Sequence, residues 1–172
     1  MPIQTLLDNV ANAPRQSSTL GTPQIMTTQR EGWLDNEYIR VYAEGDRERI
    51  AELYAFETFL PCYIPIASWG LDALVLAPDS CLYLIDWIPL AESFRREKYT
   101  SIAEFAHAMR LFHEADPGYE HYRKEIHLKH PLALGGSPQE HPVMLDQQTH
   151  AEACRFFNDL YRHLETKTKA QQ

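Results

Sequence analysis

The chain has 172 residues, 44% of them apolar and 11% aromatic, which is enough to fold around a core without disulfides. Its formal net charge of −8 disfavours nucleic acid or an anionic membrane as a direct partner, because both reward clustered Lys and Arg. Three cysteines without CxxC or Cys–His spacing, no secretory leader and no apolar run near the roughly 20 residues of a bilayer span predict a cytoplasmic protein with reduced thiols.

Residues 2–12 predict a short helix with Ile3, Leu6, Leu7 and Val10 on one face, and 13–28, rich in Ser, Thr, Gln and Pro, reads as a linker or arm. After Trp33, the run 37–43 alternates with period two and predicts a strand, with Tyr38, Arg40 and Tyr42 on its outward parity. Asp46 is placed to cap a helix over 46–59, in which Ile50, Leu53, Tyr54, Glu57 and Leu60 step at helical spacing. Three apolar runs follow: Cys62 to Ser68, Ala73 to Ala77 and Cys81 to Ile85, separated by turns at Trp69-Gly70 and Pro78-Asp79-Ser80. Their lengths and short spacers predict an antiparallel meander, and their near-continuous hydrophobicity predicts a sheet covered on both faces. Pro61 and Pro65 favour a sheet edge or a strand start for the first run, since each lacks a ladder N–H.

Residues 87–96 read as a crossing loop. Ser101-Ile-Ala-Glu104 is a capping box that opens a helix through about Ala115, stopped by Pro117-Gly118, with Ile102, Phe105, Ala106, Met109 and Phe112 inward. Residues 119–129 predict a short helix and 130–142 a loop. Asp146 caps a last helix to about Thr166, with Ala153, Phe156 or Phe157, Leu160, Tyr161 and Leu164 on its apolar side. The expected fold is therefore a single α+β domain over 1–172: an antiparallel sheet of four or more strands, helices packed on it, and a C-terminal helical extension from 119.

No motif assembles a catalytic group. A G-x-S-x-G elbow, a phosphate loop and a G-x-G-x-x-G fingerprint are all missing. Five of the eight histidines fall within 107–130, but His107, His113, His121, His127 and His130 do not form the i, i+4 pair of a zincin. Glu104 precedes His107 at Glu-x-x-His spacing yet is explained by capping, and His127 with His130 could hold zinc only with ligands from elsewhere. The expectation is no catalytic residue, no metal and no cofactor.

The residues Leu60-Pro61, Tyr63-Ile-Pro-Ile-Ala-Ser68, Gly70, Asp72, Leu74-Val-Leu76, Leu82-Tyr83, Ile85-Asp86 and Ser101-Ile-Ala-Glu-Phe105 together carry a family resemblance. The pattern, with the helix before it, resembles the second half of the SUKH superfamily over about residues 38–112; that superfamily includes fungal cell-wall assembly regulators and bacterial immunity proteins. The helical N-terminal half usual in such proteins is short or replaced here. The resemblance implies a non-enzymatic immunity protein that binds a cognate protein toxin, of nuclease type, and occludes its active site, as a monomer or homodimer. Between Glu31 and Glu57, eight acids face only Arg40, Arg47 and Arg49, a surplus of five negative charges suited to a basic partner. Aromatics beside those acids supply candidate anchors. The expected contact residues are Glu37, Tyr42, Glu44, Asp46, Glu48, Trp69, Asp72 and Trp87. The alternatives are a regulatory adaptor of the same fold and, from another class, a small metal-dependent hydrolase using the His- and Glu-rich region 104–130.

Overall fold

The structure, a computed structural model, describes residues 28–171. The helix expected over 2–12 and nearly all of the arm lie outside them. The fold is α+β. Strands β1 (Arg30–Leu34), β2 (Glu37–Val41), β3 (Ile64–Trp69), β4 (Asp72–Leu76), β5 (Leu82–Asp86), β6 (Arg96–Tyr99) and β7 (His113–Glu114) form one antiparallel sheet in the order β6-β5-β4-β3-β2-β1-β7. A separate hairpin pairs β8 (Lys124–His127) with β9 (Val143–Asp146).

The expected meander is β3-β4-β5, paired from Ile64↔Leu76 to Leu76↔Leu82. Period two splits its side chains between two cores. Ala73, Val75, Tyr83 and Ile85 face one side, with Ile50 from helix α1 (Arg47–Leu53), Phe56 and Phe59 from α2 (Phe56–Phe59), and Tyr54 between the two helices. Leu74, Leu76 and Leu82 face the other side, under Ile102 and Phe105 of α3 (Ile102–Ala108). Both faces are thus covered. Burying a ring such as Phe105, 1% exposed, contributes about 1.5–3 kcal/mol.

Pro65 does not mark a sheet edge. β3 is the central strand of the seven, and the ladder register shifts between Pro65 and Ala67, so the irregularity falls where the N–H is missing. The helix expected over 46–59 is broken at Ala55, which sits in the left-handed region at φ 56°, and Asp46 precedes α1 without a side-chain cap bond. The helix opened by Ser101 is shorter than expected. Ser101 caps it as expected (Glu104 N–H donates to Ser101 Oγ at 3.1 Å), with the Glu104 carboxylate reaching back one residue further, to Thr100, but α3 ends at Ala108, followed by a 3-10 turn over Met109–Leu111. His113 and Glu114 then pair with Trp33 and Gly32 as an edge strand, and the Ala115 N–H donates to the Glu31 carbonyl at 2.9 Å. Gly32 permits this approach, since a Cβ there would collide with the His113 carbonyl.

The helix expected over 119–129 is absent. A turn leads to Arg123 at φ 61°, which ends any helical path, and the next four residues extend as β8. The last helix, α4 (Gln147–Ala170), begins where expected: Asp146 accepts from the Thr149 N–H at 2.9 Å and from its hydroxyl at 2.6 Å. Its buried face differs from the expected one. His150, Ala151, Cys154 and Asn158 point inward, whereas Phe156 and Leu164 are 64% and 45% exposed. Specific polar contacts set that rotation: the Asn158 side chain accepts from the Leu90 N–H at 2.7 Å and donates to the Trp87 carbonyl at 2.9 Å. None of the described helices is long and apolar enough to cross a membrane.

Candidate functional site

Three of the expected contact residues lie in the core. Tyr42, Trp69 and Trp87 are 1%, 4% and 3% exposed, so a folded partner cannot reach them. The outward parity of β2 fails because α4 and the hairpin cover that face. Tyr42 packs against the same cluster as Cys154, Trp87 stacks on Tyr54 with ring centroids 4.2 Å apart, and Lys98 lies 4.9 Å above the Trp69 ring.

The five acids of the set remain outside the core but do not form one face. Glu37 and Asp72 sit at one end of the sheet, where the Glu37 carboxylate lies against Gly70, the turn residue before Asp72. Glu44, Asp46 and Glu48 lie beyond the other end of β2, about 17 Å of strand away. Asp72 is further occupied by Arg96, whose Nη2 donates to it at 2.9 Å and to Asp86 at 3.1 Å. Burial, and then the hydrogen bond with Asp86, push the Asp72 carboxyl up to about 6 against the opposing pull of Arg96.

The flank built by residues 44–57 is different. Glu44, Glu48, Glu52 and Glu57 are all exposed. Arg47 is turned into the protein and donates to the Tyr42 carbonyl at 3.4 Å, and Arg49 faces Asp46 at 3.7 Å. Glu48, Glu52 and Glu57 have no ion-pair partner among the described residues. Amphipathic spacing places them there: Arg47 and Ile50 go inward on α1 while Glu48 and Glu52 go to solvent, and on α2 Phe56 and Phe59 go inward while Glu57 goes out.

A second arrangement was not read from the sequence. Arg40, 4% exposed, lies between two buried carboxylates, with Nη1 2.6 Å from Glu125 and Nη2 3.2 Å from Glu31. Ser68 Oγ donates to the other Glu125 oxygen at 2.5 Å. Glu31 Oε2 also accepts from the Tyr38 hydroxyl at 3.0 Å and the Arg123 N–H at 2.9 Å, while its Oε1 is buried without a partner among the described residues. Burial pushes the Glu125 carboxyl up, against Arg40 and Ser68, which favour the charged form; burial and then Glu31 push the Tyr38 phenol far up. The network ties β1, β2, β3 and β8 together. It forms the floor of an open cleft of about 390 Å³, lined by Gln29, Glu31, Arg40, Tyr122, Arg123 and Gln147. The one signal for it was Arg40 itself, a charge set between two tyrosines at strand spacing.

The His- and Glu-rich stretch 104–130 does not converge. Glu104 caps Thr100 through its N–H and hydroxyl at 2.6 and 2.7 Å, and His130 bonds Glu140 at 2.8 Å. Of its histidines only His127 turns into the core, where it meets His150 and Cys154 of α4; the possible ligand atoms of the three lie within 4.8 Å of one another. Tyr54 Oη lies 2.7 Å from His150 Nδ1. Burial, then His127 and Arg40, push the His150 imidazole down to about 3, and burial pushes the Cys154 thiol far up. Both shifts favour the neutral forms of the pair over a thiolate–imidazolium.

No protein-family model and no curated protein significantly matches this chain.

Proposed function

We propose that this chain is a non-enzymatic bacterial immunity protein of the cytoplasm, which binds a cognate toxin and covers its active site. The observation that carries the reading is the acidic flank at 44–57, with Glu48, Glu52 and Glu57 exposed and without an ion-pair partner among the described residues, while two nearby arginines are occupied. A basic substrate groove, as in a nuclease-type toxin, is its electrostatic complement. Unpaired exposed charge accelerates encounter and lowers the association rate as salt rises. The resemblance to SUKH immunity proteins points the same way. Glu37 and Asp72, on the far end of the sheet, fall outside this contact surface, as does Trp69, which packs in the opposite core, while Tyr42 and Trp87 support it from within.

The test is affinity capture from the source cells at low and moderate salt, with bound proteins identified by mass spectrometry, then binding kinetics with the recovered partner and rescue of toxin-arrested cells by co-expression. One stoichiometric basic protein is expected. Its association with a variant carrying Glu44→Lys, Asp46→Lys and Glu48→Lys should slow by about tenfold or more, whereas Glu37→Lys should bind as the parent does. Failure to recover any partner at either salt, or a triple variant that associates at the parent rate, overturns the reading.

A further inference from the structure

The cluster of His127, His150 and Cys154 lies apart from the acidic flank, and neither the fold nor the proposed function uses it. The three residues are 7%, 1% and 1% exposed and come from two elements, β8 and α4. His150 and Cys154 stand four residues apart on one helix, so both aim at the same point. His127 reaches it from the hairpin, its ring 5.3 Å from that of His150. Its imidazole makes no hydrogen bond among the described residues and keeps a slight opening to solvent.

We propose that His127, His150 and Cys154 bind one Zn²⁺ that pins the C-terminal helix to the hairpin. The donor set is neutral imidazole and thiol, the ligand types that select this borderline-soft ion. Tyr54 supplies the outer contact. With the Nδ1–H of His150 donating to Tyr54 Oη at 2.7 Å, the lone pair is left on Nε2 for the metal. Cys154 Sγ lies 3.6 Å from that Nε2. A tetrahedral site with Zn–N of about 2.0–2.1 Å and Zn–S of about 2.3 Å has an N–S edge of about 3.6 Å. The sulfur also stands 3.9 Å from Nδ1, so it sits beside the ring, and capture turns the two side chains toward each other. The set, now spread over as much as 4.8 Å, closes by about 1 Å. Binding converts the Cys154 thiol to a thiolate and releases its proton to solvent; both imidazoles stay neutral. Water completes the fourth position from the His127 side.

The experiment uses the full chain without a histidine tag, stripped of metal and kept reduced, then titrated with Co²⁺ and Zn²⁺. The expected result is one Co²⁺ per chain with a thiolate-to-cobalt charge-transfer band in the near ultraviolet, displaced by Zn²⁺. The band persists in Cys62→Ser/Cys81→Ser, where Cys154 is the sole thiol, and disappears in Cys154→Ser and His127→Ala. Tyr54→Phe weakens metal binding by roughly tenfold. Zn²⁺ in excess raises the unfolding temperature of the parent. A parent or a Cys62→Ser/Cys81→Ser variant that shows no band overturns the proposal, as does stoichiometric binding that His127→Ala leaves unchanged. The double-serine variant retains every proposed ligand, so the test stands even if Cys154→Ser does not fold.

Discussion

Replacing Arg40 by Met probes the charge balance beneath the cleft. The parent holds one guanidinium between two carboxylates at 2.6 and 3.2 Å, all three groups nearly out of solvent. At a charge-centre separation near 4 Å and an effective dielectric of about 20, each attraction amounts to about 4 kcal/mol. Desolvating the arginine offsets part of this, and removing one partner of such a network costs about 3–5 kcal/mol because it strands buried charge. In a chain of this size that lowers the unfolding temperature by roughly 6–20 °C. The deficit must depend on pH. Burial already raises the folded-state pKa of Glu125, so its stabilising contribution is complete below the ordinary carboxylate range and is lost as pH rises through the raised value. Without Arg40 that value climbs further. Urea unfolding followed by tryptophan fluorescence should show a smaller deficit near about pH 5 than near about pH 8. Arg40→Met/Glu125→Gln should recover roughly 1–3 kcal/mol of the sum of the single losses. A deficit under about 1 kcal/mol that is equal at both pH values would refute the reasoning.

Two further outcomes follow from the same kind of contact. Asn158→Leu removes both bonds to the Trp87–Leu90 segment and leaves a buried N–H and carbonyl unmatched; thermal unfolding should record a loss of about 2–4 kcal/mol. Asp72→Asn should matter mainly above its raised pKa of about 6. A raised carboxyl stabilises the fold at low pH and ceases to do so as pH rises through that value, so the difference in unfolding free energy between variant and parent should shift toward the variant between about pH 5 and about pH 8.

What could be read from the residues was local. The meander announced itself through three short apolar runs and their turn residues, and the capping box at Ser101 and the cap at Asp146 each place their partner three residues on, so sequence spacing and spatial contact coincide. The rest depends on what packs against what. Arg96-Glu-Lys-Tyr99 and His113-Glu114 carry no apolar run, yet they become strands because neighbouring backbone supplies the ladder. Arg40, Tyr42 and Trp87 looked outward or terminal until residues from 119 onward closed over that face. The inward face of α4 was hidden for the same reason: its apolar residues suggested one stripe, but the polar contacts of His150 and Asn158 hold another inside. His127 lacked visible companions because they lie on α4, beyond a long loop.

The two outer strands of the large sheet bear on how any partner is recognised. β6 presents Arg96 and Glu97 to solvent with Lys98 half-buried beside them, and β7 is only two residues long. Charged side chains on one margin and a truncated ladder on the other leave little free main chain for an incoming strand. Recruitment by strand addition, a mode that reads backbone more than side chains, is thereby discouraged on both margins. For the proposed toxin partner, selectivity would then rest on side-chain chemistry displayed by helices and loops, which can change without disturbing the ladder that holds the fold.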